Sequence, residues 1–537
     1  MTVTDATLGS LFLSHFDVRD GKYRLPSSHP GGSAEPAATV LPNRHGVPAM
    51  DQTVPHRVAA SGSGGASSGT TPWRMDAVEV AALIRNGRLS AREAVQSCLD
   101  RIDAVNPQVN AVVATMHEAA LAAADRADAA RARGEALGPL HGVPVTVKVN
   151  TDQAGWPTDN GTIALRDNMA AMDAPVVAHM VMAGAVVIGR TNTPSFSMRW
   201  FTGNELHGET RNPWNARLTP GGSSGGAGAA VASGMGPIGQ GNDIAGSVRY
   251  PSYCCGLAGL RPSLGRVPSF NGTAKAPSGI SSQLMAVQGP LTRRVRDLRL
   301  AFTVMAQPHP DDPRVAPIAA FPPSRRPLRA ALVVDPGGRG VHPALAEATR
   351  SAGRALEAAG YVVEEREPPE LGLAADLWGP IGGPDVIAKL EPIVEAYGDE
   401  GIKRGLAYWR GCWPERNPAS SLAGLAERSR LLRLWSLFFQ DYAVAVMPTS
   451  TQPIFEWEED LRDQATNDRI MEAQRPMLAV SVLGLPGLSV PTGLHEGVPT
   501  GVQVVSAMFR EDLCLDAAEA IEAHHPMPTP IDPREAF

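Results

Sequence analysis

Two stretches decide how this chain is read: Thr219-Pro220-Gly221-Gly222-Ser223-Ser224-Gly225-Gly226, and the later Gly241-Asn242-Asp243-Ile244-Ala245-Gly246-Ser247-Val248-Arg249. Each is a glycine-rich turn carrying serine. The first runs straight into Ala227, Ala229, Ala230, Val231 and Ala232, an apolar segment that predicts a buried helix and argues against a flexible linker. A phosphate-binding loop of the Gly-x-x-x-x-Gly-Lys-Ser/Thr type would place a lysine here, and none follows. What remains is a turn whose glycines allow unusual dihedrals and bring two hydroxyls close to another element. In the second turn Gly246 directly precedes Ser247, Asp243 and Arg249 lie on either side, and Pro251 closes the segment. Successive N–H groups in such a turn form an anion-binding nest, suited to the oxyanion of a tetrahedral intermediate.

Upstream, Gly142-Val143-Pro144-Val145-Thr146-Val147-Lys148 reads as a strand. Val143, Val145, Val147 and Val149 alternate with Pro144, Thr146, Lys148 and Asn150, so period two sets the valines on one face and Lys148 on the other. A lysine ending an apolar strand is biased by burial toward the neutral amine, which can accept a proton. Taken singly, Lys148 reads as a lysine reaching for solvent, and Ser247 as an ordinary turn serine. Taken together and in this order, they supply a nucleophile, a bridging hydroxyl and a base for acyl transfer.

With these residues in place the chain resembles the amidase signature family. The family's Gly-Gly-Ser-Ser-Gly-Gly turn is intact at 221–226, and its Gly-x-Asp-x-Gly-Gly-Ser-x-Arg-x-Pro segment is present at 241–251, with one departure at Ala245. The similarity extends through Gly189-Arg190-Thr191-Asn192-Thr193-Pro194, Thr210-Arg211-Asn212-Pro213-Trp214, 255–267 with Arg261 and Ser263 in place of the commoner lysine and threonine, and Val490-Pro491-Thr492-Gly493. It covers most of residues 73–530. The resemblance implies an α/β fold, a mixed twisted β-sheet covered by helices on both faces. It also implies Ser247 as nucleophile, Lys148 as base, and Ser223 as a bridging serine preceded by a cis non-proline peptide bond. The amides of Ile244, Ala245, Gly246 and Ser247 become the oxyanion hole, and Ser197 aligns with a position whose main-chain carbonyl contacts substrate in some relatives. Alanine at 245 adds about 1–2 kcal/mol of strain if φ there is positive, and little otherwise.

The rest of the sequence sets bounds. Residues 1–72 are rich in Gly, Ser, Pro, Ala and Thr and predict a flexible extension. Residues 73–537 are expected to form the catalytic domain, with an irregular helical region at about 371–440, holding Trp378, Tyr408, Trp409, Trp413 and Trp435, over the substrate channel. The alternative for those aromatics is a peripheral packing layer. Ser90 and Glu93 form a capping-box pair ahead of a helix whose Val95, Cys98, Leu99 and Ile102 share one face. A second helix is expected from about Glu118 to Arg133. The net charge of −7 without a basic block gives no reason to expect nucleic acid. Five cysteines, an odd number, read as reduced core residues with no zinc spacing among them. No uninterrupted apolar stretch is long enough to span a membrane.

The leading expectation is a cytoplasmic, cofactor-independent hydrolase of a carboxylic amide, with an aryl amide, a carbamate or an ester as options for the substrate, working through an acyl-enzyme on Ser247. Its partners are a small-molecule amide substrate and, as an option, a second copy of the chain. Two alternatives stand beside it: the glutaminase subunit of a tRNA-dependent amidotransferase, and an inactive binding protein of the same fold.

Overall fold

The computed structural model describes residues 71–274, 276–316, 328–412 and 417–535. Nearly all of the N-terminal extension, and Trp413, lie outside the described residues. The chain divides into two units, 1–66 and 67–537, and the second holds the sheet and the helices that flank it.

The helix Ala91–Val109 begins as its capping box requires: the Glu93 N–H donates to Ser90 Oγ at 3.0 Å and the Ser90 N–H to Glu93 Oε2 at 2.8 Å. Val95, Cys98, Leu99 and Ile102 are buried. The next helix spans His117–Ala132, with Arg133 as its C-cap directly before Gly134. Among the described residues eleven strands form one mixed sheet. At its heart the strand Pro144–Lys148 runs parallel to both neighbours, Val186–Thr191 and Ile238–Asp243. From Ile238–Asp243 onward the next five pairings are antiparallel, through Val287–Thr292, Ala258–Arg261, Gly487–His495 and Val498–Val505 to Val444–Pro448.

The parallel setting explains what alternation alone could not. A parallel strand is covered on both faces, so all five residues of Pro144–Lys148 are buried and neither face reaches solvent. Lys148 ends this strand beside Asn242 and Asp243, which end the parallel neighbour, and ligands in such sheets gather at the carboxyl ends of strands. The first glycine-rich turn leads into Gly225–Ala232, a helix buried at every residue; the second leads into Arg249–Cys255.

The described residues of 371–440 are mostly helical: Leu371–Asp376, Trp378–Asp385, a π-helical turn Val386–Leu390, Glu391–Tyr397, Glu400–Cys412 and Pro418–Asp441. All five cysteines are free, and four of them are buried. Among the described residues no helix is long and apolar enough to cross a membrane.

Candidate active site

Lys148 has no exposed surface. Its Nζ lies 2.7 Å from Ser223 Oγ, 2.9 Å from Asn242 Oδ1 and 3.1 Å from Ser224 Oγ. Burial drives its pKa well below the ordinary lysine value, an effect that the nearby Asp243 carboxylate only partly opposes. The peptide bond Gly222–Ser223 is cis, in agreement with the expectation. A Cβ at Gly222 would stand 2.6 Å from the Arg199 carbonyl oxygen, so only glycine lets this turn pack so tightly on the backbone of 199–201.

Ser247 lines a cavity of about 220 Å³. A main-chain bond from Ser224 N–H to the Ser247 carbonyl oxygen, 3.2 Å, ties the two turns together. Among the described residues no hydrogen bond engages the Ser247 hydroxyl, so its link to Ser223 Oγ is not made in this structure. Catalytic hydrogen bonds often tighten only once substrate is bound.

The amides of the second turn divide in a way the motif does not reveal. The Gly246 N–H donates to Asp243 Oδ1 at 2.7 Å, which removes it from the expected oxyanion set. The N–H groups of Ile244, Ala245 and Ser247 have no acceptor among the described residues, and these three residues line the cavity. Two indoles hold the turn in this state. Trp200 Nε1–H donates to the Ala245 carbonyl at 2.9 Å and Trp378 Nε1–H to the Ile244 carbonyl at 3.5 Å. In a trans peptide the N–H points opposite the C=O. Trp200 therefore helps turn the Gly246 amide toward Asp243, while Trp378 leaves the Ala245 amide facing the other way.

Asp243 is fully buried. Burial alone would raise its pKa, but Arg249, at 3.0 and 3.1 Å, and Arg261 hold it well below the usual carboxylate range. Arg261 also donates to the Asp243 carbonyl at 2.8 Å. Gly246 has φ +106, a conformation that disfavours any side chain, and its missing Cβ makes room for Met477. Ala245 is not among the residues with positive φ, so the departure from glycine there carries no backbone strain.

Ser197 also lines the cavity. It and Phe196 are consecutive non-glycine residues in the left-handed region, φ 58 and 55, and such strain concentrates at functional sites. Hydrogen bonds fix the pair: Ser197 Oγ donates to Asn160 Oδ1 at 2.6 Å and accepts from Asn150 Nδ2 at 2.9 Å. The aromatic roof splits. Trp378 and Trp409 line the cavity with ring centroids 5.9 Å apart, whereas Trp435 is buried elsewhere, donating to the Pro369 carbonyl at 2.8 Å. Trp200, Asn150, Asn242 and Ser224 escaped the sequence reading as functional residues; only Ser224 carried a signal, as the second serine of the first turn.

Comparison with known proteins gives a consistent picture. The family model described as Amidase matches residues 93–515. An indoleacetamide hydrolase of Bradyrhizobium diazoefficiens is 45% identical over 84% of this chain and 86% of its own length. A glutamyl-tRNA(Gln) amidotransferase subunit of Moorella thermoacetica is 32% identical over 84% of this chain and 96% of its own. Among solved structures, 6-aminohexanoate cyclic dimer hydrolase complexed with substrate superposes with a TM-score of 0.73 at 29% identity, covering 85% of this chain and 98% of that one.

Proposed function

The chain belongs to the amidase family and is a hydrolase of amide C–N bonds; from that premise we propose that Ser247, Ser223 and Lys148 carry the reaction, and that the substrate is a small arylacetamide of the indoleacetamide kind. The single observation that carries the mechanism is the buried lysine amine 2.7 Å from Ser223 Oγ, in the turn whose Ser224 N–H donates to the Ser247 carbonyl. Lys148, neutral, takes the Ser223 proton while Ser223 takes that of Ser247. Ser247 Oγ bonds to the amide carbon, and the oxyanion rests on the N–H groups of Ile244, Ala245 and Ser247. The proton returns to the leaving nitrogen, the C–N bond breaks, and ammonia departs. Water, deprotonated by the same relay, releases the carboxylic acid from Ser247.

The substrate class rests on the cavity and on the Bradyrhizobium relative. Drug-sized ligands occupy roughly 300–1,000 Å³, and a cavity of about 220 Å³ suits something smaller. Phe196, Trp200, Trp378 and Trp409 give it flat aromatic walls, which favour a planar ring. The test is kcat/KM across indole-3-acetamide, phenylacetamide, aliphatic amides, anilides and glutamine. Arylacetamides are expected to lead. Trp409→Ala should lower their advantage over aliphatic amides by about tenfold or more, the scale of losing one aromatic anchor. Equal turnover of aryl and aliphatic amides, unchanged in that variant, counts against the assignment. The Moorella relative supports a second reading, a component of a tRNA-dependent amidotransferase. Glutamine turnover only with a partner protein, and no turnover of free arylacetamides, would favour it.

We further propose residues 73–537 as the amidase domain, with 371–440 as its roof, acting in the cytoplasm as a monomer or homodimer. Two contacts of Trp73 support a boundary just before it. Its N–H donates to Ser97 Oγ at 3.2 Å, and the Arg101 guanidinium lies 3.9 Å from its ring centroid. Deleting residues 1–70 should therefore leave turnover unchanged and Tm within about 1 °C, the shift that about 1 kcal/mol produces in a unit of this size. A larger fall in either would assign those residues to the catalytic unit.

A further inference from the structure

Three oxygens surround Lys148 Nζ, but a neutral amine has two hydrogens and one lone pair. One of the three oxygens must therefore donate to it. Asn242 Oδ1, at 2.9 Å, carries no hydrogen and can only accept. The amide's orientation is fixed from its other end: Asn242 Nδ2 donates to Asn150 Oδ1 at 2.8 Å. Asn150 Nδ2 in turn donates to Ser197 Oγ at 2.9 Å and reaches Asn242 Oδ1 at 3.3 Å. Reversing Asn242 would set its oxygen against Asn150 Oδ1 and its NH2 against Asn150 Nδ2, so the pairing with Asn150 holds the oxygen toward Lys148. Ser224 Oγ directs its hydrogen to the Asn242 main-chain carbonyl at 3.4 Å, which leaves its lone pairs for Lys148. Ser223 is then the hydroxyl whose hydrogen faces the lone pair.

We propose that Asn242, held by Asn150, is a positioning residue that takes one N–H of the neutral Lys148 amine and so turns the lone pair onto Ser223 Oγ. The inference rests on Lys148 acting as the base. It also joins the base to the cavity wall, because Asn150 bonds both to Asn242 and to the strained Ser197. Asp243, next to Asn242 on the neighbouring strand, is the charged group that acts on Lys148, and Arg249 and Arg261 pair with it. On the other neighbouring strand Arg190 donates to the Val149 and Pro157 carbonyls. The helix Gly225–Ala232 brings no charged side chain, and Ala91–Val109 commits Arg101 to the Ser233 carbonyl.

The experiment is the pH profile of kcat/KM on one small amide for the full chain, Asn242→Leu, Asn242→Asp and Lys148→Met, with Tm measured for each. Asn242→Leu removes the acceptor and should lower the alkaline plateau about tenfold or more, a share of what general-base assistance supplies. Asn242→Asp keeps an acceptor but makes it anionic, which holds the ammonium form. Its acid limb should move up by about one pH unit or more, with activity recovering above it. A purely structural role would lower Tm and amplitude without moving the limb. If Asn242→Leu does not fold, the near-isosteric Asn242→Asp decides alone. A plateau within about twofold of wild type in folded Asn242→Leu, or an unmoved limb in Asn242→Asp, overturns the proposal. If Lys148→Met keeps the wild-type limb and rate, the base assignment is what fails.

Discussion

Ser247→Ala is expected to reduce turnover by on the order of 10⁴-fold or more, the scale on which serine hydrolases lose rate with their nucleophile. The variant should fold, because the hydroxyl makes no hydrogen bond among the described residues and the change removes a single atom from the cavity wall. Residual activity should come from the open amides of Ile244, Ala245 and Ser247, which remain in place to bind an oxyanion. Substrate depletion assays with purified protein, alongside thermal melts, read both quantities. Near wild-type turnover in a folded Ser247→Ala protein would remove this residue from the mechanism.

The second large effect belongs to Lys148. General acid–base assistance is worth about 10²- to 10⁴-fold, and Lys148→Met should lose at least the lower figure while filling the same buried space. The sign of the pH dependence follows from the base being neutral. Below its folded pKa the amine is an ammonium and cannot accept the Ser223 proton; above it the amine is free. Activity should rise with pH through one ionisation lying well below the ordinary lysine value of about 10.4, because burial is the dominant cause of the shift, and then level off. Lys148→Met should lack that limb. Ser223→Ala and Lys148→Met act on one proton path, so their losses should fall short of multiplying in the double variant. Strictly multiplicative losses, or an unaltered limb in Lys148→Met, would contradict the relay.

The parts of this site that were legible in the sequence are those fixed by local chemistry. Glycines at 221, 222 and 246 mark places where a backbone bends or crowds, and the serines among them advertise themselves. The capping box at Ser90 and Glu93 is local too, and it starts its helix where expected. What stayed hidden depends on neighbours far along the chain. Asn242 meets Lys148 only because the two strands lie side by side in parallel, and nothing in either segment announces the pairing. Trp200 belongs to no periodic pattern; it matters because its indole reaches the carbonyl of Ala245. Gly246 shows the limit from the other direction. Motif reading placed its amide in the oxyanion hole, yet Asp243 three residues earlier folds back to claim it, a choice made by backbone dihedrals that spacing does not encode. Trp378 and Trp409 went to the cavity and Trp435 to the core for the same reason, since only packing tells a wall from a filler.

The proposed mechanism stands or falls on the covalent bond between Ser247 and the acyl group. Its most direct test is to inactivate the full chain with a fluorophosphonate, digest it, and locate the added mass by peptide sequencing. One adduct per active chain is expected, on Ser247, formed in step with loss of amidase activity and absent from Ser247→Ala. An adduct on a different residue, or full labelling of Ser247 with turnover undiminished, would contradict it.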